Sequence, residues 1–164
     1  MKDLSFGHLK RERSCMMLTY LIAAMLTFST PASQDYYCFP GNYTETTTSL
    51  NVLPSFLDAY EPEVKAVYKL ASAHTDVLKW IPCYCGCGQR AKHENNKDCF
   101  VREIRANGEV VWDTHAAHCI NCLEIAREAS LLAEQGKSTL FIRRHIDGKY
   151  TNAYAKPTPT PMPE

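Results

Sequence analysis

Pro82-Cys83-Tyr84-Cys85-Gly86-Cys87-Gly88 is the stretch on which the reading of this chain turns. His93 and Cys99 follow it, then His115, His118, Cys119 and Cys122, so six of the eight cysteines and three of the six histidines fall between positions 82 and 122. Soft sulfur and imidazole donors at that density point to a metal site or a disulfide network rather than to a packing core. Side chains at alternate positions of an extended segment share a face, so Cys83, Cys85 and Cys87 are expected on one side. Gly86 and Gly88 lack a Cβ, which lets the backbone turn tightly and the thiolates converge. A bridge between cysteines two residues apart strains the preferred disulfide geometry, which leaves a shared metal or long-range disulfides.

Working toward the C-terminus, the polar run Lys92 to Asp98 holds the turn residues Asn95-Asn96 and brings His93 and Cys99 back toward the motif. His93 reads equally as a solvated loop residue or as a ligand. Asn107-Gly108, between Phe100-Val101 with Ile104 and Val110-Val111-Trp112, predicts a small hairpin, with a helical turn ending at Gly108 as the rival. Asp113 is a good N-cap for a long helix running to Gln135, with Gly136 as its C′ residue. On that helix His115, Cys119, Cys122, Ala126, Ala129 and Ala133 form one stripe, with His118 at its edge. The donors are expected to point inward at the end of a small-residue packing face. The positive end of the helix dipole disfavours a protonated His115, and neutral imidazole is the form that binds metal. The bland alternative makes Cys119 and Cys122 small buried hydrophobes.

Working toward the N-terminus, Pro62 fits the first position of a helix carrying Val64, Val67, Tyr68 and Ala71 to about Ala73. A short turn with Val77, Leu78 and Trp80 follows, capped by Thr75 and stopped by Pro82. His74 reads as a surface or capping residue. Beyond the long helix, Ser138 is expected to cap a last one, on which Ile142, Ile146 and Tyr150 share a face and His145 is solvent-facing or interhelical. The fold expected is therefore mainly α: a small helical domain with an irregular cysteine-rich loop.

The ends read as appendages. Lys2, Lys10, Arg11 and Arg13 precede an apolar run from Met16 to Phe28 and the small residues around Ala32, the pattern of an export signal or an uncleaved membrane anchor over 1–32. Residues 33–53 are polar and threonine-rich and read as a flexible spacer, with Cys38 as a loop thiol or disulfide partner. The folded domain is expected over 54–154, and the Pro/Thr run over 155–164 as a disordered tail.

The motif, together with Asp98-Cys99-Phe100, Trp112-Asp113, His115-Ala116, the Cys119 and Cys122 pair and the proline tail from Ala155 to Pro163, resembles the bacterial extracytoplasmic proteins named for their PCYCGC motif. The resemblance spans about 54–163 and implies an exported cysteine-rich domain, without naming an activity. Many members look like lipoproteins. This chain departs from them, since neither Cys15 nor Cys38 follows a lipobox.

The residues narrow the function further. Eighteen basic against eighteen acidic side chains gives no footprint for nucleic acid. Leu123 after Cys122 excludes a covalent haem motif, and there is no phosphate loop or serine nucleophile elbow. The leading expectation is an exported metal-binding protein that uses Cys83, Cys85, Cys87, Cys99, Cys119 and Cys122, with His115 and His118 contributing. Copper(I) comes first, because soft thiolates select it, and zinc second. Binding, delivery or sequestration follows more readily than catalysis, with another metal-handling protein as partner. The alternatives are a disulfide-stapled interaction module and a thiol-disulfide oxidoreductase using Cys119 and Cys122.

Overall fold

The structure is a computed structural model that describes residues 43–152 and 155–164. The basic-apolar segment over 1–32, Cys15, Cys38 and the start of the threonine-rich stretch lie outside the described residues. Among the described residues no helix is long and apolar enough to cross a membrane.

Strand β1 (Thr44–Thr47) leads into a 3-10 turn (Ser55–Ala59), helix α1 (Pro62–Ala73) and the single turn α2 (Thr75–Leu78). The motif loop ends in another short turn, α3 (Gly88–Ala91), before strands β2 (Val101–Ile104) and β3 (Val110–Asp113). A 3-10 turn (His115–His118), helix α4 (Ile120–Glu134) and helix α5 (Thr139–Tyr150) complete the order.

The mainly-α expectation is overturned by a three-stranded antiparallel sheet in the order β1-β3-β2. The strand that went unseen is β1, within the stretch that read as spacer. Its four residues, Thr-Glu-Thr-Thr, are too polar to mark a core strand. Yet threonine is β-branched and suits an extended edge, and the burial alternates along the strand. Thr44 to Thr47 pair with Asp113 to Val110, and Trp112 Nε1 donates to Thr47 Oγ1 at 2.7 Å.

Asn107-Gly108 does turn a hairpin, with Gly108 at φ +88° and β2 and β3 antiparallel on either side. The register shifts between Val101 and Glu103, so Arg102 sits on a bulge, a device that re-aims one side chain out of the ladder. The long helix begins later than the N-cap at Asp113 implied. Asp113 is still paired in β3, and Cys119 is extended at φ −130°, ψ 100°, so α-helix starts only at Ile120. The C-terminal end falls where expected: Gly136 takes φ +73°, and the N–H groups of Gly136 and Lys137 donate back to Ala133 and Leu132.

α1 runs over the residues expected from Pro62, and α5 is capped by Ser138 Oγ, which accepts from the Phe141 N–H at 3.2 Å. Ile142, Ile146 and Tyr150 are buried together on α5. Leu57, Tyr68, Leu78, Ile81, Phe100, Trp112 and Ile125 fill the core, where Tyr68 meets Phe100 edge to face with centroids 4.9 Å apart.

The proline tail is a second correction, since it is ordered against the domain. Thr158 donates its N–H to the Cys83 carbonyl at 3.0 Å and accepts from the Cys83 N–H on Oγ1 at 2.9 Å. Arg143 of α5 donates to the carbonyls of Thr160 and Pro161, and to that of Trp80. Apart from the Thr160 N–H, which donates to the Thr158 carbonyl at 2.8 Å, and the paired hydroxyls of Thr158 and Thr160, an extended proline segment leaves its polar groups to a neighbour. Here the neighbour is the first cysteine of the motif.

Candidate metal centre

Three segments deliver the donors. The motif loop supplies Cys83 and Cys85, buried against the tail on one side and α4 on the other. Gly86 takes φ +78°, a conformation that a side chain would strain, and the backbone turns there before α3. The loop after α3 brings His93 and Cys99 back, as the Asn95-Asn96 turn implied. Asn96 does more than turn the chain: it is fully buried, donates its N–H to the Ile81 carbonyl at 2.7 Å and its amide to the Cys122 carbonyl at 3.3 Å. The third segment is the junction of β3 and α4, with His115 on the 3-10 turn, Cys119 at the N-cap and Cys122 in the first turn.

Three overlapping groups result, each with donor atoms within 4.8 Å of one another: Cys85, His115, Cys119 and Cys122; Cys83, Cys99 and Cys122; and His93, Cys99 and His115. The Sγ atoms of Cys83 and Cys85 are 3.1 Å apart, those of Cys83 and Cys122 3.5 Å, and those of Cys83 and Cys99 3.6 Å. His115 Nε2 lies 3.6 Å from Cys85 Sγ, and His93 Nδ1 3.5 Å from Cys99 Sγ. Four thiolates around one tetrahedral ion with bonds of about 2.3 Å stand about 3.8 Å apart, so these spacings are close to those a shared ion demands. All of these donors are buried except Cys119, which is partly exposed at the edge.

Behind the donors stands Asp113. Its Oδ1 accepts the His115 backbone N–H at 2.7 Å, and its Oδ2 faces His93 Nε2 at 3.3 Å and accepts from Arg102 Nε at 2.7 Å. A carboxylate on the far nitrogen fixes a ligand histidine's tautomer and aim, which leaves Nδ1 of His93 turned to Cys99. Burial opposes the Asp113 charge, but His93, the His115 N–H and Arg102 together hold its carboxyl below the usual range. Arg102 is the bulge residue. It also donates to the carbonyls of Ala91 and Lys92, tying the end of α3 to the same carboxylate. Tyr68 completes the support by donating to the Asp113 carbonyl at 2.7 Å and accepting the Ala117 N–H at 3.2 Å.

The donors polarise one another. Hydrogen bonds from Cys119 and then Cys122 pull the Cys85 thiol down to about 6. Burial opposes charge on His115, yet its hydrogen bonds to Cys119 and Cys85 prevail and lift it to about 9. Burial drives the Cys122 thiol well above its ordinary value. The expectation that the helix dipole keeps His115 neutral therefore meets a different geometry, since His115 precedes the long helix and faces thiols.

Of the residues singled out in the sequence, Cys83, Cys85, Cys99, His115, Cys119 and Cys122 come together. Cys87 does not join them, because it is disulfide-bonded, whereas the other five described cysteines are free. His118 stands outside the three groups and meets the Tyr60 hydroxyl through Nε2 at 2.7 Å. His93, whose role the sequence left open, is brought in. Asp113, Arg102, Tyr68 and Asn96 went unrecognised. Only the Trp112-Asp113 step beside His115 offered a signal for one of them.

A family model described as protein of unknown function with PCYCGC motif matches residues 15–163. The chain belongs to the PCYCGC-motif family. No curated protein and no solved structure matches it. The motif that names the family is thus the loop of sulfur donors lying under the proline tail, and its cysteines divide between the donor groups and a disulfide.

Proposed function

We propose that this PCYCGC-motif protein is an exported metal-binding protein that holds a thiophilic ion, copper(I) first and zinc second, for delivery or sequestration. The convergence of five free thiols and two imidazoles from three segments in one buried pocket carries this reading. Soft, sulfur-rich sites select copper(I) and zinc, and a three-sulfur group such as Cys83, Cys99 and Cys122 suits a three-coordinate copper(I) ion. The basic-apolar N-terminus supports export, and the same segment, if retained, supports a membrane anchor with another metal-handling protein as partner. Five free thiols among six described cysteines weigh against a stapled module.

Anaerobic purification followed by elemental analysis and thiol counting tests the reading. Stoichiometric metal with thiols that react only after chelation supports it. Metal-free protein that takes up neither ion on titration overturns it. Cys85→Ser should weaken metal retention more than Cys38→Ser. Equal effects would count against the grouping.

One observation favours a second reading. Cys119 is partly exposed at the N-cap of α4 and Cys122 is buried one turn further on, the placement of a dithiol that exchanges with partner disulfides. That reading requires a Cys119–Cys122 couple that follows a redox buffer in the metal-free protein, with exchange activity abolished in Cys122→Ser.

A further inference from the structure

We infer that the pocket is dinuclear, with the Cys122 thiolate bridging two ions. The inference rests on the metal-binding reading above and says how many ions that pocket takes and how they share it.

A tetrahedral ion uses four donors, and Cys85, His115, Cys119 and Cys122 make one such set. Three donors are then left over in the same buried space: Cys83, His93 and Cys99. They are not spectators at a distance. Cys83 Sγ lies 3.1 Å from Cys85 and 3.5 Å from Cys122, both members of the first set. Cys83, Cys99 and Cys122 themselves form a group within 4.8 Å. The two sets therefore share one atom, Cys122 Sγ.

The shared atom is of the right kind. A thiolate sulfur has lone pairs for two ions, whereas each imidazole nitrogen has one. Sharing through Cys122 is thus chemically available, while His115 belongs to the first ion, to which Cys85 at 3.6 Å assigns it. His93 adjoins the second set through Cys99, since Asp113 occupies its Nε2 and its Nδ1 lies 3.5 Å from Cys99 Sγ.

The test is native mass spectrometry of the anaerobic protein titrated separately with zinc(II) and with copper(I), joined to X-ray absorption of the loaded form. Two ions per chain with at least one of the metals, and a metal–metal scattering shell, are expected. Saturation at one ion with both metals overturns the inference and leaves the metal-binding reading intact. Two ions without metal–metal scattering overturn the shared thiolate. No uptake of either metal overturns the metal-binding reading and this inference with it. Cys83→Ser should bring the plateau from two ions to one, because it removes a donor of the second set alone; a plateau of two in that variant overturns the assignment. If Cys83→Ser does not fold, the wild-type plateau and scattering decide.

Discussion

Gly88→Ala tests whether the tail seals the motif. A Cβ built on Gly88 would stand 2.3 Å from Thr158 Cγ2 and 3.4 Å from the His93 carbonyl oxygen. Carbon atoms in good contact are about 3.5–4.0 Å apart, so the overlap exceeds an ångström. Gly88 has no positive φ, and what demands glycine there is space. Thr158 cannot simply turn its methyl away. Its Oγ1 accepts the Cys83 N–H at 2.9 Å and lies 3.0 Å from Thr160 Oγ1, and a rotation that frees the methyl breaks the first of these. Overpacking of this kind costs about 1–3 kcal/mol, against a gain of up to about 1 kcal/mol for replacing glycine by alanine in the unfolded chain. A net loss of up to about 2–3 kcal/mol is expected. Thr158→Ser deletes the offending methyl and keeps the hydroxyl, so in that background Gly88→Ala should be neutral or mildly stabilising. Urea unfolding of the four proteins, followed by the fluorescence of buried Trp112, gives the coupling energy. Equal effects of Gly88→Ala in both backgrounds, or no cost in the wild-type chain, would refute the docked tail.

Three further outcomes follow from the same geometry. Asp113→Asn removes the charge that orients His93 and anchors Arg102 and the His115 N–H; metal affinity should fall by about 10–100-fold in a chelator competition while the far-ultraviolet spectrum is kept. Affinity should rise with pH. Metal must displace the proton that His115 holds up to about 9, which contributes about tenfold per pH unit, and burial keeps the Cys122 thiol protonated higher still, so the rise continues above 9; below about 6, where Cys85 also protonates, the slope steepens. A pH-independent constant between 6 and 9 would remove His115 from the ligands. Arg143→Ala abandons three carbonyls and the Asp147 carboxylate and should cost about 2–3 kcal/mol, with faster amide exchange at Thr158 and Cys83 as the local readout.

Local chemistry was legible in the sequence wherever a short stretch decides its own conformation. Pro62 at a helix start, Asn107-Gly108 in a hairpin, Ser138 as a cap and Gly136 as a C′ residue each act over a few neighbours. So did the donor types, since sulfur and imidazole announce a soft site whatever the fold. What the tertiary structure alone decided depends on partners far along the chain. The threonines of β1 become a strand only because β3 offers its edge, and the proline tail becomes ordered only because Cys83 and Arg143 supply its hydrogen bonds. The roles of Cys87, His93 and Asp113 are set likewise. Cys85 and Cys87 are each followed by a glycine, yet one joins the donors of α4 and the other is bonded elsewhere, and no local pattern records which thiol a distant segment will meet.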